Sequence, residues 1–180
     1  MILIGIGANL PSEAYGSPLE TCEAAIAALD GRAGVRVVRR SRWFESAPVP
    51  MSDQPWYVNG ACMVKTHLDA ATLLRQLHDI EAEFGRIRGE KNAPRVLDLD
   101  LLAYDDLVSD SSIGMEIPHP RLHERAFVLL PLRDLAPGWR HPVTGAPLDA
   151  LISQLPSDQV VRPIGHTHGT LELDDELDEI

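Results

Sequence analysis

Two cysteines in 180 residues are too few for a disulfide framework. Cys22 and Cys62 each fall where a small buried residue fits, so both are expected to be reduced core thiols of a cytoplasmic protein. No apolar run approaches the roughly 18 residues needed to span a bilayer, which argues against a membrane helix. The opening Met1-Ile2-Leu3-Ile4-Gly5-Ile6-Gly7 lacks a basic region and a signal-cleavage site, and is expected to be the first strand itself. A surplus of positive charge is also missing. The net charge of -11 argues against a nucleic-acid-binding surface, which needs a basic footprint. Six of the acids (Glu172, Asp174, Asp175, Glu176, Asp178, Glu179) lie in the last nine residues, so the body is only mildly acidic. Residues 161–180 are expected to be an acidic, mobile tail after one domain over 1–160, with His166 and His168 there incidental.

What is present has the balance of an ordinary globular domain, 44% hydrophobic and 24% charged. The first strand is apolar throughout, as a buried strand should be. Gly5-Ile6-Gly7 begins like a dinucleotide loop, but no third glycine follows and no helix starts there, so that reading is discounted. Ser17-Pro18-Leu19-Glu20 combines an N-cap, a first-turn proline and a capping-box glutamate; Gly31 is the expected stop. A strand is expected over 35–44, then a proline-rich irregular stretch over 45–55, then a strand over 56–66. Asparagine is disfavoured mid-strand, so Asn59 should have a specific polar partner. Tyr57, taken alone, would be a core aromatic. Asp69 should cap a second helix running to Phe84, with Gly85 as its stop. Glu81 falls at the edge of that helix's buried face, where a carboxylate needs a partner such as a nearby Lys, Arg or His.

The most informative stretch is Pro94-Arg95-Val96-Leu97-Asp98-Leu99-Asp100-Leu101-Leu102. As a strand it puts Asp98 and Asp100 on one face and Leu97, Leu99 and Leu101 on the other. Carboxylates two residues apart repel by about 2–3 kcal/mol at a separation of roughly 6–7 Å. A divalent cation with oxygen ligands would relieve that, and Mg²⁺ is usually held by one or two carboxylates plus substrate phosphates. Just upstream stand Arg86, Arg88, Lys91 and Arg95. Cations beside paired aspartates are the ingredients of a polyphosphate site. Downstream, His119 lies between Pro118 and Pro120, and a helix follows to Pro137, then a short one over 148–155. The order β-α-β-β-α-β predicts an α+β, ferredoxin-like antiparallel sheet with both helices on one face and C-terminal helical additions. The other face, carrying Asp98, Asp100, Tyr57 and Asn59, is expected to be open.

Five blocks in order give the chain a wider resemblance: Gly7-Ala8-Asn9-Leu10; Asp53-Gln54-Pro55-Trp56-Tyr57-Val58-Asn59; Gly85-Arg86-Ile87-Arg88; the Asp98/Asp100 stretch; and Pro118-His119-Pro120-Arg121-Leu122-His123-Glu124-Arg125-Ala126-Phe127. Together they resemble the 6-hydroxymethyl-7,8-dihydropterin pyrophosphokinases of folate synthesis, which move the β,γ-pyrophosphate of ATP to the pterin's hydroxymethyl oxygen and release AMP. The resemblance implies that Asp98 and Asp100 bind two Mg²⁺ ions and that Arg86 and Arg95 contact the transferring group. It implies that Glu81, Arg88, His119 and Arg125 serve ATP, with Ser46, Pro48, Val49, Tyr57, Asn59 and Phe127 around the pterin. The loop Glu90-Lys91-Asn92-Ala93 lacks an arginine-tryptophan pair of many relatives, leaving open whether Lys91 takes the arginine's place. The expected partners are ATP and the pterin, with no nucleic acid, no membrane and a monomeric chain. The rival readings are a sensor that binds nucleotide or pterin without turnover and an RNA-binding sheet, the latter opposed by the negative charge.

Overall fold

An uncharged run of isoleucine, leucine and glycine forms the central strand in the computed structural model of the protein, which describes residues 1–85, 94–112 and 114–165. In chain order the elements are β1 (Ile2–Ala8), α1 (Pro18–Asp30), β2 (Val35–Arg40), β3 (Phe44–Ser46), β4 (Tyr57–Thr66), α2 (Ala70–Glu83), β5 (Asp98–Tyr104), β6 (Ser109–Asp110), β7 (Glu116–Ile117), α3 (Ala126–Leu135), α4 (Leu148–Ser153) and β8 (Val161–Pro163). The main sheet runs β5-β1-β4-β3-β8, with β2 also paired to β4, and every pairing is antiparallel. Strands β6 and β7 form a separate hairpin. Among the described residues no helix is long and apolar enough to cross a membrane.

Alternation along β1 divides the core in two. Ile2, Ile4 and Ile6 pack with Cys22 and Ile26 of α1, Leu73 and Leu77 of α2, and Leu97, Leu99 and Leu101. Leu3 points the other way, to Leu102, Ala61 and the apolar sides of α3 and α4. The aspartate side of the sheet is therefore not open along its length, as expected from the sequence, because α3 and α4 cover its far half and bury Leu102 at 1% exposure. Helix caps follow the sequence closely. Ser17 and Glu20 form the reciprocal box on α1, and the Asp69 carboxylate accepts from Thr72 N–H on α2. Gly31 ends α1 with φ −76°, so its left-handed freedom is not used there, whereas Gly85 after α2 has φ +85°.

Three expected boundaries move. The strand over 35–44 splits into β2 and β3 because Ser41 interrupts the ladder. Its backbone N–H donates to Ala61 O and its own hydroxyl accepts the Ala61 N–H, both at 2.9 Å, and the register slips between Val37 and Arg39. The Asp strand begins at Asp98 rather than Pro94, since the Arg95 backbone is engaged by the loop after β1 instead of by a neighbouring strand. The tail does not begin at 161: Val161–Pro163 is a sheet strand against β3. Residues 166–180, with the rest of the expected tail, lie outside the described residues.

Trp43, in the gap between β2 and β3, lies against Gly60, and its ring N–H donates to Glu23 at 2.7 Å. A Cβ built on Gly60 would stand 2.5 Å from that ring. Gly60→Ala is thus expected to cost about 1–3 kcal/mol in urea unfolding, the range typical of overpacking. Gly5→Ala, whose Cβ meets only the Leu102 side chain at 3.3 Å, should cost less. Identical midpoints for Gly60→Ala and the wild type would mean that Trp43 yields freely.

Candidate active site

Strand β5 carries the chemistry because its pleat separates acid from oil. Leu99 is buried among α1 and α2, while Asp98 and Asp100 are only partly covered and face away. Arg95 Nη1 donates to Asp98 Oδ2 at 2.7 Å, across the turn that leads into the strand. Burial, and then repulsion from Asp98, push the Asp100 carboxyl up to about 7, with Arg125 and Arg95 opposing the shift. Beneath the strand lies Glu81, 2% exposed, whose Oε1 accepts the Leu99 N–H at 2.8 Å. The partner expected for that carboxylate was a cation or a histidine. The structure gives it, on the helix side of the sheet, a main-chain amide of the strand it supports among its partners.

A cavity of about 650 Å³ opens on the aspartate side. Its walls include Ser46, Pro48, Val49, Tyr57, Asn59 and Phe127, so the whole set expected around the pterin meets there, together with Arg95, Asp98 and Arg125. Asn59 has the polar partner its position demanded: its Nδ2 donates to Ser46 Oγ at 2.6 Å. Asn59 and Asp98 are register partners of one residue, Gly7, on the two strands flanking β1. A Cβ on Gly7 would come within 3.1 Å of Asn59 Oδ1. Gly7 thus forms a bare floor between Asn59 and Asp98, while Gly5 lies under the Leu102 side chain.

The cationic side of the site is held in two ways. Arg125, the N-cap of α3, places its guanidinium 5.5 Å from the Phe127 ring centroid. Burial and neighbouring Arg121 make its charge harder to keep, while Asp100 and Asp98 favour it. His119, whose backbone N–H bonds Leu102 O, is pushed down to about 4 by burial and by Arg125. It is neutral at pH 7, and since its Nδ1 accepts the Arg121 N–H at 3.2 Å, the ring proton sits on Nε2. His119 therefore offers a hydrogen-bond donor rather than a charge.

Asn9 is a site residue the sequence did not flag individually. It is 1% exposed, and its Oδ1 accepts Arg95 N–H at 2.8 Å while its own N–H donates to Arg95 O at 3.0 Å. Its Nδ2 donates to Gln54 Oε1 and Pro55 O, at 3.2 and 3.1 Å. One amide thus joins the strand entry bearing Arg95 to the irregular stretch before Tyr57. The available signal was a buried-position asparagine directly after an apolar strand, which needs several partners. Arg86, Arg88 and Lys91 lie outside the described residues. Among the described residues no cluster of three or more His, Cys, Asp or Glu side chains gathers for a metal, so an ion at Asp98 and Asp100 would complete its shell with substrate oxygens and water.

The chain matches known proteins over most of its length. Residues 3–137 match the family model described as 7,8-dihydro-6-hydroxymethylpterin-pyrophosphokinase (HPPK). The chain is 39% identical to a 2-amino-4-hydroxy-6-hydroxymethyldihydropteridine pyrophosphokinase of Synechocystis over 94% of its own length and 85% of that protein. The Pseudomonas aeruginosa protein of the same name is 36% identical over 89% of this chain and 95% of its own. Folic acid synthesis protein fol1 of Schizosaccharomyces pombe is 37% identical, but this chain spans only 21% of it. Among solved structures, Plasmodium falciparum HPPK-DHPS with STZ-DHP superposes with a TM-score of 0.64 over 84% of this chain and 42% of that one; at 14% identity this is a likeness of fold.

The Asp100 shift has a measurable consequence. Its carboxyl ionises near 7 in the folded chain and near 4 in an unfolded one. The metal-free fold is thus favoured most below about pH 4, where both states hold the proton, and that advantage is lost as pH rises from about 4 to 7. The melting temperature without Mg²⁺ should fall between about pH 4 and 7, and the fall should shrink in Asp100→Asn. Mg²⁺ affinity, followed by calorimetry, should increase about tenfold from pH 6 to 8 because binding displaces the proton. A flat Mg²⁺ affinity over that range would contradict the assignment.

Proposed function

Because the chain belongs to the 7,8-dihydro-6-hydroxymethylpterin-pyrophosphokinase family, we propose that it transfers the β,γ-pyrophosphate of ATP to 6-hydroxymethyl-7,8-dihydropterin at the Asp98/Asp100 edge of the cavity. It is a pyrophosphokinase of folate biosynthesis with ATP as co-substrate. The observation that carries the site assignment is the shared register of Asn59 and Asp98 with Gly7. Two inter-strand spacings separate them, about 10 Å, with no side chain between. A flat bicyclic ring bonded at one edge by Asn59 would span that floor and bring a substituent on its far edge to the carboxylates.

The ferredoxin-like plan belongs to the same proposal, supported by a sheet that places β5 and β4 on either side of β1. In this reading Tyr57 and Phe127 take the two faces of the pterin, and Asn59, braced by Ser46, reads its polar edge beside Pro48 and Val49. Arg86 and Arg95 neutralise the transferring phosphates, while Arg88, Lys91, Arg125 and the Nε2–H of His119 hold the nucleotide. The hard oxygens of Asp98 and Asp100, two carboxylates on one face of a strand, suit two Mg²⁺ ions, which would neutralise the triphosphate when bound.

The reaction itself needs positioning more than covalent chemistry. The hydroxymethyl oxygen forms a bond to the β-phosphorus as the bond from that phosphorus to the α-β bridging oxygen breaks. AMP leaves with the bridging oxygen, and the alcohol's proton is released. Arg95, steered by its bond to Asp98 and by the Asn9 clamp on its backbone, approaches the phosphates with its orientation already set.

With ATP, Mg²⁺ and hydroxymethyldihydropterin, the expected products are AMP and pterin diphosphate in equal amounts. Asp98→Ala should lower kcat by about 10³-fold or more, as loss of a charge-handling group does in phosphoryl transfer. Its leucine face is untouched, so the melting temperature should change little. Substrate binding without AMP would instead favour the sensor, and ADP as product would indicate a different transfer.

A further inference from the structure

The segment after α4 lies beyond the 3–137 family match, yet it closes the cavity. Gln154, Pro156 and Gln159 line it. Gln159 is bonded to two main-chain groups that flank Arg125. Its Oε1 accepts the Ala126 N–H at 2.8 Å, and its Nε2 donates to Glu124 O at 2.7 Å. One side-chain amide thus engages both peptide units on either side of Arg125. It also supplies an acceptor for a first-turn N–H of α3, which has no side-chain cap bond from Arg125 itself. The next residues grip the opposite wall. Val160 O accepts the Ala47 N–H at 3.1 Å, Val161 pairs with Ser46, and Arg162 bonds Glu45 and lies 5.0 Å from the Trp56 ring centroid.

We propose that Gln159 is a positioning residue for pterin binding, fixing Phe127 relative to the Ser46–Asn59 wall. The inference rests on the pterin reading of the cavity. The connection is physical: residues 159–163 bond the α3 entry at one end and β3 at the other, so the gap between the two walls is set by this strap. If Gln159 lets go, the α3 entry keeps its apolar packing through Leu129 and Leu132 but loses its tether to the strap. The Phe127 ring, only partly buried, then has more freedom across the slot.

Two variants test this. Gln159→Met keeps the length and the apolar stem but neither hydrogen bond. Gln159→Glu keeps the acceptor for Ala126 and loses the donor to Glu124. With an unreactive ATP analogue and Mg²⁺ present, 6-hydroxymethylpterin affinity should fall about tenfold in Gln159→Met and by a smaller factor in Gln159→Glu. Analogue affinity should change by less than about threefold and the melting temperature by only about 2 °C. In the ligand-free protein, the Ala126 amide should exchange faster in Gln159→Met than in wild type. Unchanged pterin affinity in both variants, or equal losses of pterin and nucleotide accompanied by a falling melting temperature, would overturn the proposal. Unchanged Ala126 exchange would also overturn it whatever the wild type binds. A wild-type protein that takes no pterin would sink the functional reading separately.

Discussion

The site depends on one buried hydrogen bond, from the Leu99 amide to the Glu81 carboxylate. Among the described residues strand β5 lies at the edge of the sheet, paired on one side only, to β1. An edge strand has outward N–H groups with no ladder partner, and it can slip. Slipping by one residue would turn Asp98 and Asp100 into the helix-facing core and the leucines into the cavity. Glu81, presented by α2, occupies the outward position at Leu99 and fixes the strand in the register that sends both aspartates to the cavity side. The cost is a third carboxylate near the pair, which is among the influences that raise Asp100.

Around this pinned strand, side-chain amides hold several of the remaining parts. Asn9 clamps Arg95 and reaches Gln54 and Pro55; Asn59 holds Ser46; Gln159 brackets Arg125. A neutral side-chain amide donates and accepts at once, so it can fasten two backbone segments without adding to a field already set by two aspartates and several arginines. That choice matters where the substrate carries most of the charge. Every fixed ion in the wall would compete with the phosphates for the same partners.

Much of this was legible from the residues. The alternation around Asp98 and Asp100 foretold which face is oil and which is acid, because strand geometry leaves no other option. Ser17, Glu20 and Asp69 announced their helices by local hydrogen bonding that needs no tertiary information. Asn59 declared its need for a partner. What failed depended on distant chain. Ser41 breaks a strand by lending its hydroxyl to Ala61, which no periodicity reveals. Leu102 is buried by helices that follow it in sequence, so the aspartate face could not be seen to be half covered. Val161 and Gln159 fall in a polar stretch with little apolar content, and their place follows from an available edge on β3. Glu81 was recognised as a carboxylate in need of a partner; the Leu99 N–H among its partners carries no sequence signature.

The electrostatics of the site follow from burial acting on both signs of charge. Low exposure makes Asp100 reluctant to ionise and His119 reluctant to protonate, and it weakens the preference of Arg125 for its charged form. Arg125 helps keep His119 neutral and at the same time favours the Asp100 anion. Protonating His119 would therefore set a second cation against Arg125, whereas ionising Asp100 would bring a second anion beside Asp98. Each change adds like charge to its own side of the site, a cost that a ligand of the opposite sign would offset. In the proposed reading, a triphosphate arriving with divalent cations would supply both balancing charges, negative toward Arg125 and positive toward Asp98 and Asp100. The charge pattern is thus strained in isolation, and under the proposed function a metal-bound polyphosphate would relieve that strain, so the same burial that makes the empty site costly would make it selective.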